Sequence, residues 1–402
     1  MTRRRVLAAA GAAALVVLAI GSFQLLRPLT PPQAKVDIAS TYTVPGPQLR
    51  PAWPAYGQST VALDGAGLVA ATPDQPSVPI ASVTKLMTAL VVVQTHPLGV
   101  GDPGPMVQVT SADRALYEQE AAAGDSVVPV VAGETLSELQ LLEGLLLPSA
   151  DNLARLLAQW DAGSVPGFVA RMNQQAVSLG MLHSHFTDSS GLDPGSRSTA
   201  DDLVRLAAAV MAQPVLAEVA AMASATIPVV GTVHNYDFVL GQQGIVGLKT
   251  GWTSTSGGCF VAAARRRVGG RTALLLTAVL GAPGGPISSI RAAEAASVTL
   301  LASIWPTLRV VSPLPRVPFA AVRSQWQAPV PLRPSTAPDQ LGWPGLRFRI
   351  AVRTRRLADE LGAGTVAAIL TVSTSDQPAR RLDLVTVRRL LPPSPGWRLL
   401  HG

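Results

Sequence analysis

The chain has 402 residues, 48% of them hydrophobic and 14% charged, which is enough for large cores and predicts two domains rather than one. Its single cysteine, Cys259, excludes a disulfide framework and any multi-cysteine metal site. The net charge of +7 is uneven, because residues 1–35 carry +5, residues 36–305 carry −7 and residues 306–402 carry +9. The basic ends indicate either an anionic neighbour, such as lipid or a cell-wall polymer, or a general bias toward arginine.

The N-terminal segment 1–26 is predicted to be a transmembrane anchor or a signal segment. Three arginines, residues 3–5, precede an uncharged apolar stretch, residues 6–26, that spans about 31 Å as a helix. The arginines stay in the cytoplasm, so the rest of the chain is exported to the cell envelope. A signal peptide usually has a shorter apolar core, which favours an uncleaved anchor in the cytoplasmic membrane over cleavage after "AIG", residues 19–21. Nucleic acid is a poor partner for an exported chain without interleaved basic and aromatic residues.

Three regions follow the N-terminal segment. Residues 27–55 are rich in proline and are predicted to form an extended linker. Residues 56–305 alternate short apolar strands with amphipathic helices and are predicted to form the main domain. Residues 306–402, rich in Arg and Pro, contain short alternating stretches and predict a small β domain. Helices that flank an antiparallel sheet make the predicted fold class α+β.

Local signals predict the elements of the main domain. A hairpin turns at Asp64–Gly65, and the turn Gly269–Gly270 joins two later antiparallel strands. Thr135 and Glu138 form a capping box that begins a helix. A second helix follows at 151–161, so the segment "PSADN" lies in the joint between two helices.

The use of lysine is the most informative feature of the composition. Only three of the 32 basic residues are lysines: Lys35, Lys85 and Lys249. Lys85 lies in the apolar helical run "PIASVTKLMTALVV", three residues after Ser82, so both side chains share one helical face. A lysine in apolar surroundings can become neutral and take a proton from serine, which arginine cannot do. Alone, the same pattern also fits a surface lysine whose amine reaches solvent.

Two further stretches carry candidate functional residues. Ser149 in "LLLPSADN" can point into a cleft and relay a proton, or simply cap the helix that follows it. In "GLKTGWTSTSGG", Lys249 and Thr250 offer a cation and a hydroxyl for a carboxylate, and Gly251 permits close approach of a ligand to the backbone. An ordinary turn at a strand end is the alternative for this stretch. No cofactor is implied, and "MLHSHF" without H-E-x-x-H gives no reason to expect a metal.

The motifs S-x-x-K, S-x-N and K-T-G occur together, in this order, in penicillin-binding proteins and class A β-lactamases. The longer stretches "ASVTKLMTALVV", "GETLSELQLLEGLLLPSADNLA", "FTDSSGLDPGSRSTADDLVRLA" and "GLKTGWTSTSGGCFVAAA" closely resemble the low-molecular-mass penicillin-binding proteins of the D-alanyl-D-alanine carboxypeptidase family. The resemblance covers about residues 60–305. It implies a β-lactamase/transpeptidase-like helical region with an antiparallel sheet, followed by a small β-rich domain.

The resemblance also implies roles for individual residues. Ser82 corresponds to the nucleophile, Lys85 to its general base and Ser149 to a proton relay. Lys249 and Thr250 would bind the terminal carboxylate of a D-Ala-D-Ala peptide or a β-lactam. The other residues carried over are Gly251 beside the ligand, Trp252 with Ser82 in a backbone oxyanion hole, and Arg291 as an aid to carboxylate binding.

The middle motif departs from the family pattern. Its third position, usually asparagine, is Asp151, and Asn152 follows. Either Asp151 replaces the asparagine or a small shift presents Asn152 to the substrate. A carboxylate cannot donate a hydrogen bond as an amide does, and Asp151 could instead pair with Lys85 or Lys249 and keep that amine protonated.

The resulting prediction is a membrane-anchored serine carboxypeptidase that removes the terminal D-alanine from peptidoglycan stem peptides and is inhibited by β-lactams. A serine β-lactamase is the nearest alternative, although no glutamate occurs between Glu143 and Glu218 to activate a deacylating water. A catalytically weak penicillin-binding cell-wall or sensor protein is the second alternative, suggested by Asp151 and the basic C-terminal region.

Overall fold

The computed structural model describes residues 3–374 and 379–401. Its helices are α1 (Arg3–Leu26), α2 (Lys85–Thr95), α3 (Ser111–Ala123), α4 (Glu138–Leu146), α5 (Asp151–Ala162), α6 (Val165–Ser178), α7 (Ala200–Met211), α8 (Pro214–Ala221), α9 (Pro286–Ile304) and α10 (Pro395–Leu400). Its strands are β1 (Gln33–Val36), β2 (Thr41–Thr43), β3 (Gln58–Leu63), β4 (Gly67–Ala71), β5 (Val78–Pro79), β6 (Met106–Gln108), β7 (Thr135–Ser137), β8 (Arg197–Ser198), β9 (Ser224–Ile227), β10 (Gly231–His234), β11 (Ile245–Thr253), β12 (Gly257–Val268), β13 (Arg271–Ala282), β14 (Arg309–Val311), β15 (Ala320–Arg323), β16 (Val330–Pro334), β17 (Gln340–Gly342), β18 (Arg347–Thr354), β19 (Val366–Ser373) and β20 (Arg380–Thr386).

These elements form two compact units. The larger unit consists of Gly46–Val310 with Leu341–Pro344, and the smaller one of the described parts of Met1–Pro45, Val311–Gln340 and Gly345–Gly402. The predicted limits of the domains, 56–305 and 306–402, lie near these divisions but differ in detail, because segments from both ends of the chain enter the smaller unit.

The larger unit contains an antiparallel sheet of five strands in the order β11-β12-β13-β3-β4. The turn between β3 and β4 lies at Asp64–Gly65, as the sequence predicts. Gly269 and Gly270 join β12 to β13 with φ of 55° and 82°, a conformation that glycine adopts without strain. The predicted α+β class, with helices beside an antiparallel sheet, is confirmed.

The helical region of this unit surrounds α2. Every residue from Lys85 to Val93 is buried, and α2 packs against α4, α5, α6 and α7. A helix that is apolar on all sides belongs in the middle of a core. The first residue of this central helix is Lys85, so the fold carries its amine into the interior of the unit.

The capping box predicted at Thr135 and Glu138 is wrong. Thr135 lies in strand β7, which pairs with β6, and helix α4 begins only at Glu138. The cap is Ser137, whose hydroxyl accepts a hydrogen bond from the backbone N–H of Gln140, while the Gln140 side chain accepts one from the backbone N–H of Ser137. The Thr-x-x-Glu pattern matched the capping-box motif by chance, because Thr135–Ser137 is a strand paired with β6 and was not predicted from the sequence.

The smaller unit is built on an antiparallel sheet of seven strands in the order β1-β15-β16-β20-β19-β18-β2. Its two edge strands, β1 and β2, come from the segment predicted to be a linker. The segment is extended, as expected of a proline-rich stretch, but parts of it are paired rather than free. The β-rich character predicted for the C-terminal region agrees with these strands.

Two helices in the described residues are long and apolar enough to cross a membrane. None of the residues in the stretch Leu7–Leu26, which has a mean hydropathy of 2.0, is buried. The stretch Pro286–Thr307 is different, because its helix α9 buries Ala293, Leu300 and Leu301 and packs against β12 and β13. We therefore assign α9 to the core of the larger unit.

The corrected cap of α4 can be tested with a matched pair of substitutions. Ser137→Ala removes the capping hydroxyl and should lower the free energy of unfolding by about 1 kcal/mol. Thr135→Ala, two residues away and exposed, should leave it within about 0.5 kcal/mol of wild type. Urea denaturation in detergent, followed by circular dichroism, measures both, and an equal loss in the two variants would contradict the assignment.

Candidate active site

Ser82 lies in a short, strained turn at the entrance to α2. Residues Ala81–Thr84 form a 3-10 turn that leads directly into α2. Ala81 has a φ of 48°, which a non-glycine residue adopts only where the surrounding structure imposes it. The turn leaves Ser82 half-buried while its neighbours Ala81 and Val83 are buried. The nucleophile predicted from S-x-x-K is therefore the accessible side chain of an otherwise buried turn.

The amine of Lys85 is held by acceptors from three separate segments. It donates to Ser82 Oγ at 2.9 Å, to Asp151 Oδ1 at 2.6 Å and to the carbonyl oxygen of Ser190 at 3.0 Å. Lys85 is fully buried, and the side chain of Asp151 is 2% exposed. Three acceptors match the three donors of an ammonium group. Of the two pairings considered for Asp151, the structure has the one with Lys85.

The Ser190 carbonyl is positioned by a loop that Asp188 organises. The Asp188 carboxylate accepts hydrogen bonds from the backbone N–H groups of Gly191 and Leu192, at 2.7 and 2.9 Å, and from the hydroxyls of Ser190 and Ser196. Asp188 was not among the residues predicted for the site, although it lies in the "FTDSSGLDPG" stretch. An aspartate followed by serine and glycine is a common signal for such a turn.

Ser149 lies in the joint between α4 and α5 with its hydroxyl unused. Its φ of 67° is again in the left-handed region, and its Oγ is buried without a hydrogen-bond partner among the described residues. It is not the side-chain cap of α5, whose N-terminal flanking residue, Ala150, offers no capping side chain. A strained backbone and a free buried hydroxyl favour a role for Ser149 in the site over a role as a helix cap.

Asn152 is not brought to the cleft. Its Oδ1 accepts from the backbone N–H of Val128 at 3.0 Å, and its Nδ2 donates to the carbonyl of Val128 at 2.8 Å. The amide is therefore engaged with the segment that precedes α4, whereas the neighbouring Asp151 carboxylate contacts Lys85.

Lys249, Thr250 and Gly251 lie on β11, which packs against the Ser82 turn. A Cβ on Gly251 would lie 3.0 Å from the backbone nitrogen of Ser82 and 3.1 Å from that of Val83, so only glycine lets the strand pass this close. Lys249 and Thr250 are 2% and 3% exposed. Within residues 3–374 and 379–401, no hydrogen bond or ion pair engages Lys249 Nζ, which leaves the amine available to a ligand.

Burial and electrostatics tune Lys249. Desolvation, followed by the positive charge of Lys85, lowers the pKa of Lys249 to about 7, while Asp151 and Asp237 act in the opposite direction. Asp237 is itself buried, and desolvation raises its pKa to about 6, although the N–H of Val239 and the charge of Lys249 lower it. The sequence analysis missed Asp237, which lies outside the three motifs.

The remaining predicted residues lie at the margins of this cluster. Trp252 continues β11, where it pairs with Gly258, and its indole N–H is buried without a partner among the described residues. Arg291 is exposed on α9, with its guanidinium 5.0 Å from the centre of the Phe238 ring. Its recorded contact is therefore with an aromatic ring, and no contact joins it to Lys249 or Thr250 in the described parts of the chain.

The motifs and this geometry agree with the comparison to known sequences. The family model of the peptidase S11 D-alanyl-D-alanine carboxypeptidases matches residues 58–284. The chain belongs to this family. It is 34% identical over 260 residues to the D-alanyl-D-alanine carboxypeptidase DacB2 of Mycobacterium tuberculosis, covering 63% of this chain and 83% of that protein. It is 29% identical over 210 residues to the D-alanyl-D-alanine carboxypeptidase of Streptomyces sp. strain K15, covering 48% and 69%.

Solved structures show the same fold. The crystal structure of the Streptomyces K15 DD-transpeptidase superimposes with a TM-score of 0.54 and 25% identity, covering 65% of this chain and 98% of that one. The D-alanyl-D-alanine carboxypeptidase DacD of Francisella tularensis gives a TM-score of 0.58 at 17% identity and covers 86% and 96%. The second comparison extends the shared fold beyond the family match.

The lowered pKa of Lys249 is directly measurable, because the chain has only three lysines. With 13C-labelled lysine, NMR of the ε-carbons should show one signal that titrates near pH 7, since burial and Lys85 make protonation of Lys249 unfavourable. The Lys249→Arg variant should lack that signal, which assigns it. A Lys249 signal that stays unchanged between pH 6 and pH 8, within about one unit either side of the expected midpoint, would contradict the electrostatic account.

Proposed function

We propose that the chain is a serine D-alanyl-D-alanine carboxypeptidase that removes the terminal D-alanine from peptidoglycan stem peptides. The observation that carries the proposal is the 2.9 Å hydrogen bond between Lys85 Nζ and the half-buried Ser82 hydroxyl. Lys249 and Thr250, on the strand beside this pair, supply a cation and a hydroxyl for the terminal carboxylate of the substrate. Membership of the carboxypeptidase family supports the assignment and does not favour a β-lactamase.

Acylation follows from this arrangement. The Ser82 oxygen attacks the carbonyl carbon of the penultimate D-alanine, and its proton passes to the neutral amine of Lys85. The backbone N–H groups of Ser82 and Trp252 stabilise the oxyanion. The C–N bond then breaks, and the amine of the leaving D-alanine receives the proton from Lys85 through the free hydroxyl of Ser149. Water hydrolyses the ester on Ser82 by the same groups in reverse.

Asp151 has a specific consequence for this chemistry. A carboxylate 2.6 Å from Lys85 Nζ makes a charge-assisted hydrogen bond that holds the amine more strongly than a neutral acceptor would. An asparagine at this position would not do so. Asp151 thus acts as a restraint on the base, while it also fixes the position of the amine against Ser82.

The location proposed for the enzyme is the outer face of the cytoplasmic membrane. The stretch Leu7–Leu26 is long and apolar enough to span a bilayer, and three arginines precede it. The catalytic unit would then face the cell wall. β-Lactams, which resemble the D-Ala-D-Ala terminus, are proposed to acylate the same serine.

Fluorescent penicillin tests the central claim. Wild-type protein should be labelled covalently, and Ser82→Ala should lose labelling entirely because no acyl acceptor remains. D-Alanine release from a peptide that ends in D-Ala-D-Ala should disappear in the same variant. Labelling that persists in Ser82→Ala would overturn the assignment of the nucleophile, and labelled protein that releases no D-alanine would favour a sensor over an enzyme.

The restraint by Asp151 gives a second prediction. Asp151→Asn should increase the rate of penicillin acylation at neutral pH by about tenfold, since an amide replaces the charge-assisted hydrogen bond to the Lys85 amine with a weaker, neutral one. Asp125→Asn is the matched control, because it removes a nearby half-buried carboxylate that makes no contact with Lys85. A slower Asp151→Asn enzyme would mean that placing the amine matters more than releasing its proton.

A further inference from the structure

The C-terminal helix α10 is hydrogen-bonded to the end of helix α1. Arg398 Nη1 donates to the carbonyl oxygens of Leu25 and Arg27, at 2.9 and 3.1 Å. Arg27 Nη2 in turn donates to the carbonyl oxygen of His401 at 2.7 Å. The last carbonyls of a helix have no partner within that helix, and a cation there also suits the helix dipole. Arg398 therefore caps α1 from the other end of the chain.

Apolar side chains surround this contact, among them two half-buried tryptophans and three exposed leucines. The rings of Trp397 and Trp326 meet edge to face, with centroids 6.2 Å apart, and Trp326 Nε1 donates to the carbonyl oxygen of Leu391 at 2.8 Å. Leu391, Leu399 and Leu400 are 57%, 44% and 82% exposed. We call Trp326, Leu391, Trp397, Leu399 and Leu400 the collar patch.

We propose that the collar patch lies in the outer interfacial layer of the membrane, in contact with phospholipid headgroups and the upper part of the acyl chains. The inference rests on the proposed membrane anchor and adds a second, separate attachment to it. The apolar stretch of α1 ends at Leu26, so the carbonyls of Leu25 and Arg27 lie at the hydrocarbon boundary. Groups within hydrogen-bond distance of those carbonyls must lie at nearly the same depth.

The chemistry of the patch fits this depth. Tryptophan is enriched at membrane interfaces, where its ring is buried and its N–H finds a polar partner, as Trp326 does here. Transfer of an exposed leucine side chain from water into the acyl chains is favourable, and its free energy scales with the apolar area that is buried. Arg27 and Arg398 lie at the same level, and the exposed Arg388 and Arg389 lie just before Leu391 in the chain. This set of cations is complementary to anionic phosphate headgroups.

Such a contact would change what the anchor does. A single spanning helix leaves the unit attached to it free to tilt and to rotate about the helix axis. A second contact beside the helix removes that freedom and holds the seven-stranded sheet of the smaller unit in one orientation to the bilayer. The hydrogen bonds of Arg398 would connect the collar patch directly to the end of α1.

The chain allows a clean test because Cys259, its only cysteine, is buried. In the Leu400→Cys variant, a thiol-reactive environment-sensitive dye marks the patch in the full-length chain, reconstituted in nanodiscs of phosphatidylcholine and phosphatidylglycerol. Leu182→Cys, at a position 76% exposed in the larger unit, is the matched control. We expect emission of the dye at residue 400 to shift to the blue, with at least about twofold stronger quenching by shallow spin-labelled lipid than at residue 182. Combining Leu400→Cys with Arg398→Ala should reduce that quenching.

Three outcomes count against the inference. Dye at residue 400 that is quenched by aqueous iodide as strongly as dye at residue 182 would show that the patch faces water. Dye that is shifted to the blue but not quenched by spin-labelled lipid would show that protein, such as a second copy of the chain, covers the patch. Loss of the whole chain from the membrane in alkaline carbonate would instead refute the proposed anchor, so failure of the anchor and failure of the patch are distinguishable.

Discussion

The buried ammonium of Lys85 is the constraint on which the active site depends. A charge removed from water is tolerated only where acceptors replace its solvation, and here three acceptors come from three parts of the chain. The strained turn at Ala81, the joint between α4 and α5, and the loop held by Asp188 must each take its conformation for the set to be complete. The hydrophobic packing around α2 stabilises the arrangement but does not by itself specify it.

The charge on Lys249 depends on several groups in the cleft and not only on its own burial. Burial makes it unfavourable to charge Lys249, and repulsion from Lys85 adds to that cost. Asp151 opposes both effects, since it pairs with Lys85 and also raises the pKa of Lys249. A neutral side chain at position 151 would remove the ion pair with Lys85 and would also remove a charge that raises the pKa of Lys249. The electrostatic environments of the two lysines are therefore coupled through one carboxylate.

The sequence predicted those parts of the site that depend on side-chain chemistry. The scarcity of lysine and the three motifs identified Ser82, Lys85 and Lys249, and the structure brings them to neighbouring elements. It could not decide between Asp151 and Asn152, because a shift of one residue at a helix start changes which of the two buried side chains contacts Lys85. Asp188 holds its loop through partners within eight residues, so the local Asp-Ser-Gly pattern was a signal that could have identified it. Asp237 lies outside the three motifs, and only the fold shows that its charge acts on Lys249. The cap at Ser137 was missed for a different reason. The patterns Thr135-x-x-Glu138 and Ser137-x-x-Gln140 overlap, and only the pairing of β7 with β6 shows that the helix begins after Ser137.

The proline-rich segment illustrates how composition can give the right conformation and the wrong role. Extended residues that lack partners are spacers, but the same residues beside the edge of a sheet complete it. Strands β1 and β2 occupy the two edges of the seven-stranded sheet, so residues 33–43 cannot serve as free tether. Only residues 27–32 separate α1 from β1, a reach of about 20 Å even when fully extended. Any membrane helix at the N-terminus therefore keeps this sheet close to the bilayer, which is the condition that contact between its C-terminal helix and lipid requires.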